Sequence, residues 1–78
     1  MNALQTAKKI VGDALHIDQT AIYDDLSADT SDAWDSVAHI NIMLSIEEQI
    51  GGGIPVEEVF MLNSVSTIAA FLDKHTPS

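Results

Sequence analysis

Residues 35–50 read DSVAHINIMLSIEEQI, followed at once by Gly51-Gly52-Gly53. At about 100° per residue, Ile40, Ile42, Met43, Ile46 and Ile50 share a broad apolar arc, while Asn41, Ser45, Glu48 and Gln49 lie opposite. The stretch therefore predicts an amphipathic helix from Asp35–Ser36 to the glycines. Asp35 is the candidate N-cap, its carboxylate placed to accept from an otherwise unpaired amide. The glycine run ends the helix by making a left-handed or open backbone cheap. Val37 and Leu44 fall off the centre of the apolar arc and bracket Asn41 and Glu48. That edge stripe reads either as the margin of the core or as a docking stripe, with apolar anchors beside acidic groups.

Working outward, Pro55 precedes Glu57 and Glu58, which suit the first turn of a short helix over about Val56 to Leu62. Ser64 is placed to cap a last helix with Val65, Ile68, Ala69 and Leu72 on one face. Lys74 and His75 complement its C-terminal dipole, and Pro77 ends its helical potential. Before the quoted stretch, Leu4, Ala7, Ile10, Val11, Ala14 and Leu15 recur at spacings of three and four, with Lys8 and Lys9 on the flank. Gly12 weakens that first helix slightly. From His16 to about Trp34 the helical period is lost and Asp, Ser and Thr accumulate. Leu26, Ile17 and Ile22 would anchor this long loop. No alternating strand pattern or internal repeat is present. The expected fold is all-α: a small four-helix bundle, three main helices and a short one, in a single domain over residues 1–78.

Composition narrows the function. In a 78-residue chain with 46% hydrophobic residues, a modest core can form, and no cysteine is available for disulfides or a thiolate metal site. Twelve acidic residues against three lysines give a formal charge of -9. Such a surface repels phosphate backbones and attracts basic protein patches, so protein partners are expected and nucleic acid is not. No apolar run is long enough to span a bilayer, and the first residues lack a signal peptide's layout. The expectation is a monomeric cytoplasmic protein without membrane association.

Three chemistries can be weighed. Ser36 at a helix start is either a simple capping residue or the carrier of an anion, since aligned amides and the helix dipole favour negative charge there. A Ser-His-Asp hydrolase lacks a G-x-S-x-G elbow and room for a closed pocket in so small a helical domain. A calcium loop starting at Asp25 would put Thr30 where glycine is needed and Ser36 where glutamate is needed, so the spacing fails and no metal site is expected. Asp24, Asp25, Asp29, Asp32 and Asp35 read as a solvated acidic surface. His39 points inward on the wheel and reads as a partly buried structural residue, though it lies one turn from Ser36. Trp34 reads as a hydrophobic staple over the helix start.

Asp35-Ser36-Val37 resembles the Asp-Ser-Leu attachment motif of acyl carrier proteins, in the place that family puts it, after a long acidic loop. The following helix is similar to the family's second helix. Ile54-Pro55 with Glu57-Glu58 resembles its Ile-Pro-x-Glu-Glu turn, Ser64-Val65 its Thr-Val helix start, and Phe71-Leu72 its closing aromatic-aliphatic pair. The resemblance runs without a gap from Asp35 to Leu72. It implies a non-catalytic carrier bearing 4′-phosphopantetheine on Ser36, with Asp35 as cap and recognition element. A phosphopantetheinyl transferase would install the arm from coenzyme A. Acyl-loading and acyl-transfer enzymes with basic patches would then dock on Val37, Asn41, Leu44, Glu47 and Glu48. The missing cysteine becomes intelligible, because the arm supplies the thiol. Asn41 stands where members of fatty-acid synthesis carry an acidic residue, Leu44 replaces a methionine, and Gly51-Gly52-Gly53 and Val56 depart from an acidic pattern. These departures imply a specialised lipid or secondary-metabolite pathway, and Trp34 before the motif resembles stand-alone carriers of that kind. An aminoacyl or peptidyl carrier, or an unmodified acidic interaction module, are the alternatives.

Overall fold

A computed structural model describes residues 2–75. Four α-helices follow one another: α1 (Ala3–Leu15), α2 (Ser36–Ile50), α3 (Val56–Val59) and α4 (Val65–His75), with a single 3-10 turn at Gln19–Ala21 between the first two. The architecture is the small helical bundle expected from the sequence. Helix α1 packs along α4 and against α2. Ile42, Ile46, Ile68, Leu72, Val11 and Val65 are the large side chains most completely withdrawn from water. Each such residue contributes about 1.5–3 kcal/mol of apolar burial.

Every long helix has a polar device at its start. Asn2 Oδ1 accepts from the Leu4 and Gln5 amides at 3.0 and 3.3 Å. Asp35 Oδ1 accepts from the Ala38 amide at 2.8 Å. At α4 the cap is reciprocal: the Thr67 amide donates to Ser64 Oγ at 3.1 Å, and the Ser64 amide donates to Thr67 Oγ1 at 3.2 Å. Threonine thus fills the place that glutamate or glutamine holds in a capping box. Helix α2 ends on Gly51 at φ 71, whose amide returns to the Glu47 carbonyl. Helix α3 stops sooner than Leu62, because the Met61 and Leu62 amides share the Glu58 carbonyl at 3.0 and 3.1 Å and close it in a tight turn. Pro77, expected to end the last helix, lies outside the described residues.

The loop before α2 is tied down at several points. Ile22 and Leu26 are buried, with Ile17 packed beside them. The Ala28 amide donates to the Asn63 carbonyl at 2.8 Å and the Val65 amide to the Leu26 carbonyl at 2.9 Å, so the loop is fastened to the start of α4. Asp18 accepts from the Thr20 amide and hydroxyl, and those bonds, the amide first, hold its carboxyl below the usual range. Lys8 reaches across from α1 to Asp24 at 2.6 Å.

Gly12 has a stronger reason than the sequence suggests. The chain leaves α1 through His16 in a left-handed conformation (φ 59), and the Ile17 amide turns back to the Gly12 carbonyl at 2.9 Å. A Cβ on Gly12 would stand 2.7 Å from the Ile17 carbonyl oxygen. Alanine would gain about 1 kcal/mol of helix propensity at an open position. Here the overlap dominates, and Gly12→Ala is expected to destabilise the fold by about 1–3 kcal/mol, read from the urea midpoint.

Candidate functional site

Ser36 is the first residue of α2, and the capping is done by its neighbour. Asp35 supplies its carboxylate to the Ala38 amide and its carbonyl to the His39 amide. The Ser36 side chain is exposed, and its hydroxyl has no hydrogen-bond partner among the described residues. The Ser36 and Val37 amides are likewise unengaged by protein acceptors among those residues, leaving two donors and the positive end of a fifteen-residue helix beside the hydroxyl.

Trp34 and His39 build the wall next to it. They occupy the positions just before the cap and four into the helix, the staple arrangement, with ring centroids 6.3 Å apart. The indole is a donor only, so its 3.1 Å bond to His39 Nδ1 makes that nitrogen the acceptor. The imidazole proton therefore sits on Nε2 and is donated to the Val59 carbonyl of α3 at 2.9 Å. Both ring nitrogens are committed, so His39 is structural. The wall opens on a groove of about 510 Å³ bordered by Ser36, Trp34, Ile40, Phe60 and Asn63. That size lies within the roughly 300–1,000 Å³ of small-molecule sites.

The edge stripe is exposed. Val37 and Leu44 are 67% and 56% accessible, and Asn41 and Glu48 also face water. Glu47 is half-buried, with its carboxylate close to Gly53. Ile40 is a correction: the sequence placed it in the core, and it is 59% exposed. The buried arc of α2 is centred between Ala38, Ile42, Met43 and Ile46, and Ile40 lies roughly 130° from that centre. It follows Ser36 by one turn and faces α3, which is too short to cover it. Val56, Phe60 and Met61 are exposed as well, and the sequence reading had not singled out Ile40, Phe60 or Asn63 as site residues. Ile40 was findable from its one-turn spacing to Ser36. Phe60 and Asn63 reach the groove only through the turn after α3.

An exposed serine at the head of a helix, relieved of capping and opening on an apolar groove, suits a protein that holds a group covalently at its surface. The chain belongs to the phosphopantetheine attachment site family, which matches residues 5–72. It is an acyl-carrier-type domain of a non-catalytic family, and its prosthetic group is phosphopantetheine. Among solved structures, the chain is similar to the holo acyl carrier protein from Geobacter metallireducens determined by solution NMR. The identity is 28% and the TM-score 0.77, over 96% of this chain and 86% of that one. No curated protein sequence matches it. The residues present fit the group: an accessible hydroxyl, two open amides able to face a phosphate, and a groove alongside. No helix among the described residues is long and apolar enough to cross a membrane.

Proposed function

We propose that Ser36 carries 4′-phosphopantetheine and that this protein, as a single domain over residues 1–78, moves acyl or related thioesters between enzymes of a specialised lipid or secondary-metabolite pathway. The observation that carries this reading is the division of labour at the head of α2, where Asp35 caps and the Ser36 hydroxyl stays exposed and unengaged. On modification the Ser36 oxygen bonds to phosphorus, the pyrophosphate bond of coenzyme A breaks, and adenosine 3′,5′-bisphosphate leaves. His39 is bound at both nitrogens and the Asp35 carboxylate is engaged in capping the Ala38 amide, so on this reading the hydroxyl proton passes to a base on the transferase. The arm supplies the thiol that a chain without cysteine lacks.

Partner enzymes then need a surface beside the arm. Val37, Asn41, Leu44, Glu47 and Glu48 offer apolar contacts flanked by carboxylates, and Ile40 extends the apolar part. The charge of -9 steers basic patches toward it. Incubation with coenzyme A and a broad-specificity phosphopantetheinyl transferase should add one phosphopantetheinyl unit, read by intact mass. An unchanged mass would leave an acidic interaction module in place of a carrier. Leu44→Asp should lower kcat/KM for that transfer about tenfold, roughly 1.4 kcal/mol of docking. Its melting temperature should hardly move, since the side chain is already in water. A large loss of stability would remove Leu44 from the docking surface.

A further inference from the structure

We infer that the hydrogen bond from His39 to Val59 is a bar that sets how long a cargo can lie beside Ser36, an inference that rests on the carrier reading. Two grooves run between α2 and α3. The first opens at Ser36 and Trp34 and measures about 510 Å³. The second, of about 280 Å³, runs past Met43 and Leu44 toward Glu47 and Ile54. They meet at three shared residues: His39, Ile40 and Val59.

The bond from His39 Nε2 to the Val59 carbonyl, 2.9 Å long, crosses at this junction. Among the described residues it is the one hydrogen bond between α2 and α3. The imidazole is braced from behind, because its Nδ1 accepts from the indole of the buried Trp34. On the other side α3 has no buried residue, so little apolar packing holds it in place. The bar is therefore stiff at its α2 end and rests on a loosely packed element at the other. Without it the two grooves become one trough.

The occupant is the acyl end of the arm on Ser36. Attachment to a residue of the first groove's wall keeps that end at high local concentration there, and the lining is mainly apolar with Asn63 at its margin. A short acyl group is accommodated on the Ser36 side of the bar. A longer one either projects into water or breaks the bar and displaces α3. His39 is thus a positioning residue that determines cargo length without touching the thioester.

The test is an acyl series made from the unmodified protein: acetyl, butyryl, hexanoyl, octanoyl and dodecanoyl phosphopantetheine, each transferred to Ser36 from the acyl-coenzyme A compound by a broad-specificity phosphopantetheinyl transferase and verified by mass. Trp34 is the sole tryptophan, so its emission reports on the groove directly. In the wild type the emission shift and the rise in melting temperature should grow with chain length and level off before dodecanoyl. In His39→Ala the levelling should move to longer chains. His39→Gln, which keeps an amide donor for the Val59 carbonyl and an acceptor for the indole, should restore the wild-type limit. In the wild-type octanoyl form, contacts seen by NMR from the chain terminus should reach Ile40 and Phe60 and not Ile54. Contacts to the Ile54 methyls would overturn the inference even if the variants failed to fold. Full loading with the same limit in wild type and His39→Ala would overturn it while leaving the carrier reading intact. Absence of any mass gain would overturn both.

Discussion

The Ser36→Ala protein should accept no phosphopantetheine and should still melt within about 4 °C of the wild type. The two halves of this result have separate causes. Loading is lost because the hydroxyl oxygen is the atom that forms the new ester. Stability is kept because that oxygen has no hydrogen-bond partner among the described residues, and surface changes of this kind stay within about 0.5 kcal/mol. Asp35→Ala should do the reverse in the fold, costing about 0.5–2 kcal/mol as the Ala38 amide loses its acceptor. Intact mass and thermal melting on the two variants separate cap from attachment point. A Ser36→Ala protein that still gained the arm would move the site elsewhere. One that melted far below the wild type would return Ser36 to a structural role.

The second large effect contrasts two isoleucines on one helix. Ile46→Ala should destabilise the domain by about 2–5 kcal/mol, because the residue is fully buried among helices that cannot close the cavity. For a small domain, with a total stability near the lower end of about 5–15 kcal/mol, that is a large share. Ile40→Ala, on the same helix, should cost no more than about 0.5 kcal/mol, because its side chain is already largely in water. Its effect should appear in partner docking and in the acyl series. Denaturant midpoints measure the pair, and equal losses would mean that α2 is rotated from the arrangement described.

Local chemistry explains why most of the fold was legible. The helices α1, α2 and α4 were marked by apolar residues at helical spacing and by Asp35, Ser64 and the glycine run, all of which act within a turn of their own position. The staple of Trp34 on His39 was also local, though its polar half was not: a wheel can point His39 inward but cannot supply the Val59 carbonyl twenty residues away. Ile40 was misplaced because hydrophobicity tells that a side chain is apolar, not whether a neighbour is long enough to cover it. Gly12 was read as a mild weakness because the carbonyl it must clear belongs to Ile17, after the chain has turned back.

By itself, then, the sequence determined a four-helix bundle, the head of α2 at Asp35–Ser36 and an acidic surface, since spacing, capping and charge are properties of neighbouring residues. Only the tertiary structure decided that the Ser36 hydroxyl is left unengaged, that Ile40 faces outward, and that two grooves between α2 and α3 meet at the His39–Val59 bond. Those features depend on where α1 and α4 take up the buried face of α2 and on how little of the opposite side the four residues of α3 can cover.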